Sequence, residues 1–352
     1  MRLSLALLAA LAPLTAAAQA PQPAEGTVTL HDYHLQSGQT LPDLRLHYLT
    51  LGTPTRDPQG HVTNAAILLH GTTGSAKSFI TADMQAGLYG PGQPLDVTKM
   101  FLVIPDGIGA GGSTKPSDGL CGRFPRYGYT DQVQASHNLL TQLGITHPRV
   151  VLGTSMGGMQ TWLWAELFPA GADAFVAIAS TPAPVTGRNM LWREAIMQAI
   201  KADTDWHDGQ PDPQHPPHQW ALTAAPLFAI MTGDAARLAT TVPDRAAAPT
   251  TWRALIDKEM HTANACDTLY QFDSSFDYDP APQLARISAP FLSINFADDL
   301  LNPPEFLHLP ARPNFHEVMI TDPAALYGHQ TLNHPAVWTA GLQAFLAGMR
   351  SK

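Results

Sequence analysis

The sequence predicts an α/β chain with a mostly parallel sheet, helices on both faces and an inserted helical lid. Three observations predict it. Six apolar runs show no alternation: Ala65–Leu69, Phe101–Ile104, Val150–Leu152, Phe175–Ala179, Phe291–Ile294 and Val318–Ile320. Unbroken runs of this length suit strands buried on both faces. Helical periods fall between them, over Asp131–Leu143 and Met159–Leu167, and strands that alternate with helices give a parallel sheet. The alternation then stops between about Pro184 and Ala285, where helical patterns at Asn189–Ala202 and Thr251–Met260 flank a proline- and histidine-rich loop, Pro211–Pro217.

Two opening strands precede the first buried run. Val28–Leu30 and Leu44–Tyr48 are separated by the turn pair Ser37-Gly38. The second alternates, placing Leu44, Leu46 and Tyr48 on one face and Arg45 and His47 on the other. The expected layout is a leader over residues 1–20, a first core segment over 28–184, a lid over 185–285 and a second core segment over 286–352.

Composition narrows the function. The chain has 352 residues, and 20 Lys plus Arg against 29 Asp plus Glu give a formal charge of −9. That balance excludes partners that need a basic face, nucleic acid and anionic membrane surfaces alike. At 45% hydrophobic and 14% charged residues the chain can bury a large core. Met1-Arg2, the apolar stretch Leu3–Ala12 and the Ala18-Gln19-Ala20 site read as a cleaved secretory signal. A periplasmic or secreted protein follows as the expectation. Cys121 and Cys266 can pair there or remain two buried thiols.

The chemistry centres on Gly153-Thr154-Ser155-Met156-Gly157, between the strand Val150–Leu152 and a helix beginning near Met159. A strand, a sharp turn and a helix are the context in which Gly-x-Ser-x-Gly presents a nucleophile. The Met156 N–H, at the helix start, is the candidate for one oxyanion donor. The Thr72 N–H, in His70-Gly71-Thr72-Thr73-Gly74 after the first buried strand, is the candidate for the other. His70 itself reads as a packed, hydrogen-bonded strand-end residue.

A serine needs a base, and the base an orienting carboxylate, in the chain order Ser, Asp, His. Asp298 and Asp299 both follow the strand Phe291–Ile294. Pro303, four residues beyond Asp299, favours Asp299 as the acid and leaves Asp298 as a turn or cap residue. His329 follows the last strand; its rival His334 precedes Pro335 and reads as the start of the final helix.

Two other chemistries fit the sequence less well. Gly71 to Ser78 misses a phosphate-binding P-loop at Ala76, whose methyl occupies the place of a required glycine. His207, His215 and His218, among 15 histidines, lack helical ligand spacing and read as solvated loop residues. No metal or organic cofactor is implied. Trp162, Trp164, Phe168 and Trp192 read as core and lid packing.

Gly153 to Gln160 resembles the nucleophile segment of the homoserine O-acetyltransferase family. Gly111-Gly112-Ser113-Thr114-Lys115-Pro116, Phe124-Pro125 with Thr130-Asp131, Leu143-Gly144-Ile145 and Ala202-Asp203 with Asp205-Trp206 follow in the family's order. The resemblance implies an α/β-hydrolase fold, a helical lid over a tunnel, acyl transfer through an acyl-Ser155 intermediate and, in many members, pairing through the lids. Two departures bear on substrate. Gln330 stands where the family's aspartate helps hold the homoserine amine, and Met197 aligns with an arginine that holds the homoserine carboxylate, with Arg193 nearby. An apolar residue there would leave a carboxylate unpaired, at a cost of roughly several kcal/mol. The expectation is hydrolysis of a small acyl ester, with O-acyl transfer as the alternative and a non-catalytic binding protein on the same scaffold as the third.

Overall fold

The computed structural model describes residues 22–350; the expected leader at 1–20 lies outside them. The chain runs β1 (Ala24–His34), β2 (Thr40–Leu51), β3 (Ala65–Leu69), α1 (Ala82–Leu88), β4 (Phe101–Pro105), α2 (Tyr129–Gln142), β5 (Val150–Thr154), α3 (Met156–Leu167) and β6 (Ala174–Ile178). The lid helices follow: α4 (Gly187–Lys201), α5 (Ala221–Thr232), α6 (Ala235–Thr241), α7 (Ala248–Thr262) and α8 (Ala265–Asp273). The core closes with β7 (Phe291–Phe296), β8 (Phe315–Ile320) and α9 (Pro335–Arg350).

One eight-stranded sheet has the order β1-β2-β4-β3-β5-β6-β7-β8. β1 and β2 pair antiparallel, as do β2 and β4, and the remaining pairs are parallel. The apolar runs became strands buried at every position in β3, β5, β6 and β7, whereas the run Val318–Ile320 in β8, expected to be buried on both faces, is only half-buried because β8 is the sheet's edge strand. Each sheet face carries its own core. Trp162 of α3 stacks on Phe291 at 3.8 Å on one side, while Leu88 of α1 and Trp338 and Leu342 of α9 pack on the other.

The two opening strands are longer than predicted, and β2 shows why its pattern is mixed. Leu44, Leu46 and Tyr48 share one core, but Leu49 and Leu51 are buried against the opposite one. The change falls where β2 begins to pair with β4, from Tyr48 onward; there the strand enters the covered part of the sheet. Helix α3 likewise departs from amphipathicity, since every residue from Met156 to Ala165 is buried between sheet and α2.

The lid has its own core, formed by Trp192, Ile196, Ile200, Trp206, Trp220 and Phe272 among others. Cys121, in the loop after β4, is bonded to Cys266 of α8, with Cα atoms 4.9 Å apart and a sequence separation of 145. Of the two states left open for these cysteines, the structure has the disulfide, and it ties lid to core.

Candidate active site

Strand β5 delivers the chain to Ser155, which turns it into α3 at φ 55° and ψ −117°. A non-glycine residue at positive φ is strained, and such strain persists only where its surroundings enforce it. Here the flanking glycines remove the atoms that would forbid the turn. A Cβ on Gly153 would lie 2.0 Å from the Gly157 carbonyl oxygen, and one on Gly157 1.9 Å from that of Leu69.

The Ser155 Oγ lies 2.8 Å from Nε2 of His329. Nδ1 of the same ring lies 2.7 Å from Oδ2 of Asp299. The other Asp299 oxygen accepts the amides of Leu301 at 2.8 Å and Asn302 at 3.0 Å, so the carboxylate is locked in the turn after β7. All three side chains are buried. A hydroxyl bonded to an imidazole whose far nitrogen faces a buried carboxylate is an arrangement that can make serine a nucleophile. Asp298 points elsewhere: its Oδ2 accepts the Gly328 amide at 2.6 Å, and its other oxygen is buried without a partner. Burial raises the Asp298 carboxyl above its usual range.

The Met156 amide sits in the first turn of α3, where N–H groups have no intrahelical acceptor. Gly71 abuts the serine so closely that a Cβ there would lie 3.3 Å from the Ser155 Cβ, and Thr72 lines the cavity over Ser155. His70 is buried at the end of β3. Its Nε2 accepts the Gly107 amide at 3.0 Å and its Nδ1 meets the Gly71 carbonyl at 2.8 Å. The P-loop alternative fails on the same segment, because the Ala76 amide is already taken by Oδ1 of Asp106 at 2.6 Å. His215 and His218 sit on the lid loop beside the carboxylates of Asp212 and Asp205.

The cavity above Ser155 holds about 260 Å³. Gln330 and Arg193 both line it. Gln330 Oε1 accepts from Asn333 Nδ2 at 2.6 Å. Arg193, only 3% exposed, donates to Asn189 Oδ1 at 2.9 Å, to the Phe272 carbonyl at 3.2 Å and to the Tyr129 hydroxyl at 3.5 Å. Met197 is a correction: it is absent from the cavity wall and packs in the lid core with Ile196 and Ile200. One turn of α4 separates it from Arg193, and the helix turns the arginine inward. Trp192, read as packing alone, also lines the cavity, as do Phe228 and Lys258 from α5 and α7. No local pattern marks the last two; their placement comes from how the lid helices fold over the sheet.

The sheet, the serine elbow and the lid together define an α/β hydrolase. The chain belongs to the alpha/beta hydrolase fold family, whose pattern matches residues 65–323. Among curated relatives it is 34% identical to the homoserine O-acetyltransferase of Chlorobaculum tepidum over 210 residues, 56% of this chain and 55% of that protein. The chain thus spans about half the length of the relative it matches. In three dimensions it resembles an acetylester hydrolase from Corynebacterium glutamicum, with a TM-score of 0.77 at 20% identity over 92% of this chain and 96% of that one. It also resembles a homoserine O-acetyltransferase from Bacillus anthracis, with a TM-score of 0.79 at 18% identity over 92% and 97%.

Proposed function

We propose that this chain is a serine-dependent acyl-transfer enzyme that hydrolyses a small acyl ester. The observation that carries the reading is the continuous hydrogen-bonded path from Ser155 through His329 to Asp299 beneath the lid. Ser155 Oγ attacks the ester carbonyl while His329 takes its proton, and Asp299 balances the imidazolium. The Met156 and Thr72 amides hold the tetrahedral oxyanion. Collapse expels the alcohol, which receives the proton from His329. Water then attacks acyl-Ser155 with His329 again as base; His329 returns that proton to Ser155 Oγ as the acyl bond breaks, and the carboxylic acid leaves.

A specific observation favours the second reading, O-acyl transfer to an alcohol that bears a carboxylate. Among the described residues the Arg193 guanidinium meets neutral acceptors, so the cavity wall carries a buried cation that a carboxylate would satisfy. This removes one of the two departures from the acetyltransferases and leaves Gln330 as the argument for water.

The test is release of p-nitrophenol from a short acyl ester by wild type and Ser155→Ala, with and without homoserine. Turnover that needs Ser155 and ignores homoserine supports the hydrolase. Acylated homoserine moves the assignment to the transferase. Turnover undiminished in Ser155→Ala sinks both.

The disulfide supports export to an oxidising compartment. Exposed Leu191, Leu222 and Ile230 on α4 and α5 support pairing of two copies through their lids, which a molar-mass measurement by light scattering checks.

A further inference from the structure

We propose that Arg237 of the lid is a positioning residue for His329, so that the proton relay is in register only while α6 is docked on the core. The proposal rests on the Ser155–His329–Asp299 reading above. His329 is carried by an irregular loop between β8 and α9, and a loop alone fixes an imidazole poorly. The core side of that loop is held: Asp298 takes the Gly328 amide, Thr331 Oγ1 accepts the Tyr327 amide at 2.8 Å and donates to the Gly328 carbonyl at 2.7 Å, and the Tyr327 ring stacks on His334 at 3.8 Å.

The lid side is held by Arg237, although the residue itself is exposed. Its Nε donates to the Leu326 carbonyl at 2.8 Å and its Nη2 to the Ala324 carbonyl at 3.2 Å. The guanidinium carbon lies 3.4 Å from the centre of the Tyr327 ring. A planar cation with a rigid fork can bond two carbonyls and cover an aromatic face at once, which an ammonium cannot do. The start of α6 is itself fixed, since Asp234 Oδ1 accepts the Arg237 amide at 2.8 Å. Beside it the backbones of Gly233 and Gly328 touch: a Cβ on Gly328, at φ +64°, would lie 2.6 Å from the Gly233 carbonyl carbon. Lid and histidine loop therefore meet backbone to backbone, one residue before His329, with Arg237 as the clamp.

The experiment compares Arg237→Met and Arg237→Lys with wild type in ester hydrolysis, in inactivation by a small serine-directed phosphonate and in thermal unfolding. Misplacing a reacting group by about 1 Å costs about 100-fold in rate. Arg237→Met should therefore lose about 10- to 100-fold in kcat with KM changed by less than about two-fold. Phosphonate labelling of Ser155 should slow in proportion, the unfolding midpoint should hold, and Arg237→Lys should recover part of the loss. Wild-type kcat in Arg237→Met, or a loss confined to KM, overturns the proposal. Should Arg237→Met fail to fold, Arg237→Lys decides: lowered kcat at constant KM supports the clamp, and unchanged kcat overturns it. Ser155→Ala separates the two layers. If it stays active the serine reading falls and takes this proposal with it; if it is inactive while both Arg237 variants match wild type, the clamp alone falls.

Discussion

His70 bonds the Gly71 carbonyl at 2.8 Å, and the opposite end of that same trans peptide is the Thr72 N–H. Because the Gly107 amide must donate to Nε2, the imidazole proton sits on Nδ1 and points at Gly71. The ring thus sets the plane of the peptide assigned as the second oxyanion donor. His70→Ala should lower kcat for a short ester by about 10-fold or more, below the 10²–10³ cost of deleting such a donor outright. A kinetic comparison of the purified variant with wild type checks this.

The same ring makes stability depend on pH. Burial pushes the His70 imidazole below the usual histidine range, with the Gly71 carbonyl and Asp106 opposing the shift in part. His137, packed between Trp164 and Phe168, is pushed down by burial as well. Below about pH 6.5 the unfolded chain takes up protons that these folded histidines refuse, so stability falls as the pH drops through that value toward their folded pKa values. Urea unfolding at several pH values from 8 to 5 should show the decline, with a shallower slope in His70→Asn.

Two adjacent aspartates should behave differently. Asp299→Asn removes the group facing Nδ1 of His329 and should cost about 10³- to 10⁴-fold in kcat. Asp298→Asn keeps an oxygen for the Gly328 amide and should cost no more than a few-fold, roughly within 1 kcal/mol of transition-state energy. A larger loss in Asp298→Asn than in Asp299→Asn would reverse the assignment of the acid.

The elbow glycines are a steric prediction. Gly157→Ala drives a methyl into the Leu69 carbonyl, backbone that cannot step aside. It should destabilise the fold by about 3–5 kcal/mol, seen as lost soluble yield or a lowered unfolding midpoint.

The core strands were legible because burial on both faces leaves an unbroken apolar run, and β3, β5, β6 and β7 are buried in that way. Ser155, Asp299 and His329 stand out because each follows a strand in the expected chain order, and the structure brings the three side chains within hydrogen-bond distance. The lid was not legible in this way. Helix α5 is apolar on buried and exposed sides alike, with Leu222 and Ile230 in solvent and Pro226 inside it. Period and breaker rules both miss such a segment. Met197 and Arg193 lie four residues apart, hence on one helix face, and only the tilt of α4 over the cavity chooses between them. Placing β4 between β2 and β3 likewise depends on crossovers that no local pattern encodes.

The bond between Cys121 and Cys266 closes a 145-residue separation, and losing such a cross-link typically costs about 2–5 kcal/mol. Cys266→Ser should lower the unfolding midpoint by an amount in keeping with that figure, and a thiol reductant should do the same to wild type.

That bond has a topological effect as well. The segment from Asp212 to Pro216 is exposed and is the kind of loop a protease cuts. A single cut there would put Ser155 on one polypeptide and His329 on another. Cys121 travels with the first and Cys266 with the second, so the severed halves remain one molecule. Damage at this exposed loop would leave Ser155 and His329 in the same particle, and only reduction would let them drift apart.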